Sequence, residues 1–173
     1  MIRSWTLAEL VLAPADIRAR LAAFTPREVQ PGAMKRAAVL VPLVLGPQAD
    51  DSAIELLFLV RPEGLASHSG QVAFPGGRID PSDADARAAA LRETHEEVGI
   101  APELPEVIGA LDDLPSSSGY LVTPIVAFVQ GPLALMPSQH EVAATFQVPL
   151  ARLADPAEQR SMREIPALPM GGP

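Results

Sequence analysis

The chain has 173 residues, a net charge of −8 and 48% hydrophobic residues, enough apolar material for one domain with its own core. The acidic balance excludes a general nucleic-acid binder, whose backbone contacts need a basic face. The lack of cysteine excludes disulfides and thiolate metal sites, and no apolar run reaches the roughly 18 residues that a membrane span requires.

The N-terminus has no basic region followed by an apolar core, so no signal peptide is expected and the cytoplasm is the expected location. Ala13 to Phe24 reads as a helix. Pro14 suits its first turn, Ile17, Leu21 and Phe24 form an apolar stripe, and Pro26 ends it. A polar connector follows, so residues 1–34 form an N-terminal helix and connector on a single domain spanning 1–173. Ala37 to Leu45 and Ala53 to Val60 are almost continuously apolar, as in strands buried on both faces. Val72 to Phe74 reads as a short strand, and Pro75-Gly76-Gly77 as a turn.

Arg78 to Asp83 is an acidic loop, and Ser82 is placed to cap the helix after it. In that helix Ala84, Ala88, Leu91, His95 and Val98 are expected to face a sheet, and Gly99 to close its C-terminus. Strands are expected over Glu106 to Leu111, Leu121 to Val129 and Glu141 to Val148, a short helix over Pro149 to Ala154, and an irregular tail over 155–173. Strands on either side of a central helix imply an α/β layer domain with a mixed sheet.

Three features converge on the central helix. Glu93, Glu96 and Glu97 are spaced by three and four, so they share one helix face, where like charges repel without a counter-ion. Hard cations such as Mg²⁺ and Mn²⁺ prefer carboxylate oxygens. Gly76 and Gly77 permit close backbone approach to a ligand, and Arg61, Arg78 and Arg92 flank the carboxylates. A metal-bridged diphosphate needs this combination, with a metal-activated water as the attacking group. Arg92 lies four residues before Glu96, as a helix-surface ion pair or as a group that orients the glutamate from behind.

From Gly77 to Ile100 the sequence resembles the Nudix box, with Arg92-Glu93, Glu96-Glu97, Gly99 and Ile100 in register. The stretch from Gly77 to Arg92 is one residue longer than the general box, Asp80 and Asp83 are the nearest substitutes for its first glutamate, and Thr94 replaces an apolar residue. A longer loop with an aspartate-proline like Asp80-Pro81 is typical of the coenzyme A pyrophosphatase branch. That branch's upstream motif is matched by Leu57-Phe58, Arg61, Gly70 and Phe74-Pro75-Gly76-Gly77, but Leu59, Pro62 and Ala66 depart from it, the last replacing an arginine. Gly119-Tyr120-Leu121-Val122-Thr123-Pro124 and Phe146-Gln147-Val148-Pro149-Leu150 resemble its later segments, so the likeness covers roughly residues 16 to 155.

The resemblance implies a Nudix-type α/β/α sandwich with a mixed β-sheet. It implies metal-dependent hydrolysis of a pyrophosphate bond in a small nucleoside diphosphate substrate of the coenzyme A class, giving 3′,5′-ADP and 4′-phosphopantetheine. ADP-ribose or a related compound is the alternative substrate, and a catalytically silent nucleotide-binding domain is the alternative of another class. Glu93, Glu96 and Glu97 are the implied ligands of Mg²⁺ or Mn²⁺, with Glu93 the first choice of general base and Glu141 the second. Arg61, Gly76, Gly77 and Arg78 are the expected substrate contacts, and Arg92 supports the metal shell. His68 is read as a solvated loop residue, and His95 as packing against the sheet.

Overall fold

The computed structural model describes residues 13–46, 54–62 and 70–154. The readings of residues 1–12, of Ala66 and His68, and of the tail over 155–173 fall outside the described residues. In chain order the elements are α1 (Pro14–Ala23), β1 (Lys35–Leu45), β2 (Glu55–Val60), β3 (Val72–Ala73), β4 (Gly76–Arg78), α2 (Ala86–Val98), β5 (Glu106–Ala110), β6 (Leu114–Pro115), β7 (Tyr120–Gln130), β8 (Ala144–Pro149) and α3 (Leu150–Ala154).

The strands form one mixed sheet ordered β3-β2-β1-β7-β5, with β4 on β1, β6 on β7 and β8 on β2. Its spine is the parallel pair β1–β7, in register from Lys35 opposite Tyr120 to Leu45 opposite Gln130. All other pairings are antiparallel.

Helices cover both faces, which is why β1 is apolar from Ala37 to Leu45 rather than alternating. Its even-numbered residues Ala38 and Leu40 pack with Ala89 and Ala90 of α2. Its odd-numbered residues face the other way, where Leu43 packs with Ile17 and Leu21 of α1 and with Leu150 of α3. Leu40, Leu57, Leu59 and Leu121 are almost fully buried. Each contributes about 1.5–3 kcal/mol of transfer free energy, so the sheet is a rigid base for α2. Among the described residues no helix is long and apolar enough to cross a membrane.

Four local expectations are corrected. Phe24 sits at the C-terminal end of α1 and is exposed, outside the helix's apolar stripe. Gly76 and Gly77 do not form a turn. They belong to β4, with Val39 opposite Gly76 and Ala38 opposite Gly77. Gly76 has φ of 150°, and a Cβ there would run into the Ala38 carbonyl oxygen and Val39. A side chain at this position would therefore push β4 off β1.

The cap of α2 is Asp85 rather than Ser82, its carboxylate accepting from the Ala88 N–H at 2.8 Å. The helix therefore starts at Ala86, later than read from the sequence. The buried face of α2 is Ala89, Ala90, Thr94, Glu97 and Val98, and His95 is exposed. Small residues at 89 and 90 let the helix approach the sheet closely. Thr94 tolerates burial because its hydroxyl donates to the Ala90 carbonyl at 2.6 Å. Gly99 does close the helix in the left-handed conformation, with φ of 77°.

Candidate active site

One stripe of α2 is alanine at its start and glutamate at its end. Ala86, Ala90, Glu93 and Glu97 follow one another at spacings of four and three, so the face that packs on the sheet continues into the carboxylates. Glu97 is nearly buried, its side chain 5% exposed. One oxygen accepts the Gly76 N–H at 2.8 Å, and the other lies 3.7 Å from the Arg61 guanidinium. Burial pushes the Glu97 carboxyl up to about 7, against the Gly76 N–H and Arg61, with Glu93 and Glu141 adding to the rise.

Glu93 is half-buried against Gly77, where a Cβ would come within 2.5 Å of its carboxyl carbon. Burial raises its pKa, Arg92 opposes this, and Glu96 and Glu141 reinforce it. The two glycines thus differ in use. Gly77 makes room for a carboxylate, and Gly76 commits its N–H to another. Glu96 is the exposed member of the set.

Glu141 reaches the same place by a different route. The segment after β7 is tied to the end of α2, with the Met136 N–H donating to the Val98 carbonyl at 2.9 Å and the Ser138 N–H to the Glu97 carbonyl at 2.8 Å. These bonds satisfy carbonyls that a helix end leaves free. A turn follows, with the Glu141 N–H donating to the Ser138 carbonyl at 3.1 Å, and Glu141 lies in that turn rather than at a strand start. There its charge acts on both Glu93 and Glu97.

Arg92 uses all five N–H groups of its guanidinium. Its Nε and one terminal nitrogen each donate to Asp83 at 2.9 Å. That terminal nitrogen also donates to the Arg78 carbonyl at 3.2 Å. The other donates to Glu93 at 2.8 Å and to Glu96 at 3.3 Å. These bonds hold the Asp83 carboxyl down to about 2, helped by the Asp80 N–H, and raise the pKa of Arg92. The Arg78 side chain is exposed and lies 3.8 Å from Asp80.

The carboxylates offer the oxygen donors that Mg²⁺ or Mn²⁺ takes, and their mutual repulsion is what a cation would relieve. The donor chemistry therefore fits a hard metal ion. Among the described residues, however, no three acidic or histidine side chains are gathered into a ready coordination shell. Arg92 stands between Glu93 and Glu96, and Glu97 is turned to Gly76. A cleft of about 460 Å³ opens at the other end of α2, lined by Arg36, Asp83, Asp85, Asp113 and Thr123 among others, and none of the four glutamates lines it.

A family model described as the NUDIX domain matches residues 34–167. The chain belongs to the Nudix family. It is 48% identical over 118 residues to the uncharacterized Nudix hydrolase NudL of Escherichia coli K12, a match covering 68% of this chain and 59% of NudL. The corresponding protein of Enterobacter sp. strain 638 is 47% identical over 117 residues, covering 68% of this chain and 58% of its own length. The chain thus spans somewhat over half the length of these relatives.

Among solved structures, the Nudix hydrolase RenU of M. smegmatis superposes with a TM-score of 0.57 at 25% identity, over 78% of this chain and 89% of RenU. An Ap4A hydrolase of C. elegans does so with a TM-score of 0.53 at 26% identity, over 66% of this chain and 80% of that one. The Nudix fold expected from the sequence, a mixed sheet with helices, is the one observed.

Of the residues singled out from the sequence, Glu93, Glu96, Glu97, Glu141, Arg61, Arg92, Gly76 and Gly77 are brought together. Arg78 contributes its carbonyl to the cluster, through Arg92. Sequence reasoning left Asp83 as one of two candidates and did not read Asp85 as the cap. Ser82, Asp83 and Asp85 can all cap a helix, and the choice is decided in space, because Asp83 is engaged by Arg92.

Proposed function

We propose that the protein hydrolyses a pyrophosphate bond in a small nucleoside diphosphate derivative, with coenzyme A or a derivative as substrate and 3′,5′-ADP and 4′-phosphopantetheine as products. The observation that carries the hydrolytic reading is the convergence of Glu93, Glu96, Glu97 and Glu141 beside Gly76 and Gly77, with Arg61 and Arg92 at the rim. Bound Mg²⁺ or Mn²⁺ would supply charge neutralisation on the diphosphate and acidify the attacking water.

In this reading Glu93, Glu96 and Glu97 hold the metal, and the Gly76 N–H fixes the orientation of Glu97. Glu93 accepts the proton of the water as its oxygen bonds to phosphorus and the bridging P–O bond breaks. Its position over the Gly77 backbone, with no Cβ in between, favours it over Glu141 for this step. Arg61 faces Glu97 from the substrate side and balances phosphate charge, and the exposed Arg78 is a second such contact. Support for coenzyme A comes from Leu57-Phe58, Arg61, Gly70 and the Phe74-to-Gly77 run, together with the Val122-Thr123-Pro124 segment. The cysteine-free composition supports a cytoplasmic location.

ADP-ribose is the second reading, favoured by Ala66, which stands where the coenzyme A motif has an arginine. The test is incubation with Mg²⁺ or Mn²⁺ and a panel of coenzyme A, ADP-ribose, NADH and diadenosine polyphosphates, with products resolved by chromatography. Release of 3′,5′-ADP from coenzyme A is the expected result. Cleavage of ADP-ribose alone would replace the substrate, and no turnover of any compound would favour a silent binding domain. Glu93→Gln is expected to lower kcat by about 10²–10⁴-fold.

A further inference from the structure

We propose that Asp83 is a positioning residue that sets the metal affinity of the carboxylate cluster by fixing the guanidinium of Arg92. The inference rests on the reading of Glu93, Glu96 and Glu97 as metal ligands. Asp83 and Asp80 occupy the same acidic loop, and the structure separates them. The Asp83 side chain is 5% exposed and accepts two Arg92 N–H groups at 2.9 Å each. Asp80 is 48% exposed, and its nearest cationic partner is Arg78 at 3.8 Å.

The loop contains a closed turn. The Asp83 N–H donates to the Asp80 carbonyl at 2.9 Å, and the Asp80 N–H donates back to the Asp83 carboxylate at 2.8 Å. Asp83 is therefore tied to the backbone of Asp80 through both its N–H and its carboxylate.

The guanidinium is a rigid planar fork, so fixing one edge fixes the other. Asp83 takes the edge formed by Nε and one terminal nitrogen. The remaining terminal nitrogen must then point between Glu93 and Glu96, at 2.8 and 3.3 Å. Two consequences follow for a cation. The charge of Arg92 is balanced on the side away from the glutamates, which leaves their negative charge available. Arg92 is also anchored when the cation displaces its contacts to Glu93 and Glu96, so those carboxylates exchange one partner while the arginine retains three bonds.

Without the Asp83 carboxylate, an unbalanced Arg92 has only Glu93, Glu96 and the Arg78 carbonyl left to bind. It then competes with the cation for both glutamates.

The test is Mn²⁺ binding without substrate, followed by the electron paramagnetic resonance signal of free Mn²⁺, so that it is independent of turnover. Asp83→Asn is expected to raise the Mn²⁺ Kd by about tenfold or more, the range seen when groups behind metal ligands are removed. In an Arg92→Ala background the same change is expected to have no further effect, because its route is through that arginine. Asp83→Glu, which keeps the charge with one more methylene, is expected to recover part of the affinity. Asp80→Asn is expected to bind Mn²⁺ as the parent does.

Normal Mn²⁺ binding by the parent, with Asp83→Asn lowering only the melting temperature, overturns the role of Asp83 and leaves the metal reading intact. Equal effects of Asp83→Asn with and without Arg92 overturn it as well. Failure of the parent to bind Mn²⁺ overturns the metal reading and this inference together.

Discussion

The loop before α2 and the last turns of α2 each screen a carboxylate side chain from direct solvent contact, and the two behave oppositely. The side chains of Asp83 and Glu97 are both 5% exposed. Asp83 is held down to about 2 and Glu97 is pushed up to about 7. The difference lies in depth and in partners: burial is the chief cause of the rise at Glu97, whereas the hydrogen bonds from Arg92 dominate at Asp83. Asp83 has two N–H groups of one guanidinium and a backbone N–H. Glu97 has one backbone N–H and an arginine at 3.7 Å, with two like charges nearby. Burial alone does not set the state of a carboxylate. The loop spends its charge on structure, and the helix end keeps its charge unsatisfied, as a site that must attract a cation would.

Substituting each carboxylate by its amide sharpens this contrast most. Glu97→Gln keeps an acceptor for the Gly76 N–H but removes a poorly paired charge. On the proposed reading of Glu97 as a metal ligand, turnover is expected to fall by about 10²-fold or more, while the melting temperature of the metal-free protein at pH 8 rises. Asp83→Asn is expected to lower the melting temperature under the same conditions. Differential scanning calorimetry of both variants checks the pair, and a shift of the same sign in both would break the comparison.

The same contrast has a pH signature. Because Glu97 binds its proton more tightly in the folded chain than in the unfolded one, its contribution to stability is full below pH 4.5 and is lost as pH rises to about 7. The loss amounts to about 3 kcal/mol for such a displacement. Glu93, also raised, acts in the same direction. The contribution of Asp83 has the opposite sign and is lost only as pH falls from 3.8 toward 2, outside this window. Urea melts of the metal-free protein between pH 5 and 8 are therefore expected to show falling stability, and 10-fold excess Mg²⁺ over its Kd is expected to flatten the slope by favouring the ionised form.

Gly77→Ala probes the packing that leaves Glu93 half-buried. A Cβ within 2.5 Å of the Glu93 carboxyl forces that side chain or β4 to move. The expected cost is about 1–3 kcal/mol of stability, together with a lower kcat at unchanged metal saturation. The smallest effect is expected from Thr94→Val, which removes the hydroxyl bonded to the Ala90 carbonyl while filling the same space. The change in stability should stay within about 1 kcal/mol, with no change in turnover, since Thr94 faces the sheet rather than the carboxylates.

Much of this arrangement was legible in the sequence because it rests on local rules. The spacing of Glu93, Glu96 and Glu97, the apolar runs of β1 and β2 and the helix stop at Gly99 each follow from a few neighbouring residues. The readings that changed depend on partners far along the chain. His95, read as facing the sheet, is exposed and Thr94 is buried because Ala89 and Ala90 meet β1, a contact that helical periodicity alone does not orient. Gly76 and Gly77 look like a turn until β1 is seen to pair with them. Asp83 and Asp80 are equivalent on paper, and only the position of Arg92 distinguishes them.

The parallel pairing of β1 with β7 also governs the order in which the protein can assemble. β1 ends at Leu45, but its full-length partner is complete only at Gln130. At a synthesis rate of about 5–20 residues per second, the ribosome needs on the order of ten seconds to cover that interval. During that time a strand that is apolar from Ala37 to Leu45 has, among the described residues, only antiparallel neighbours on one side. Non-local parallel pairing is a slow step in folding, and an unpaired strand edge is where aggregation starts. Chaperone occupancy of the nascent chain is therefore expected to begin once β1 emerges and to end after β7 has followed it.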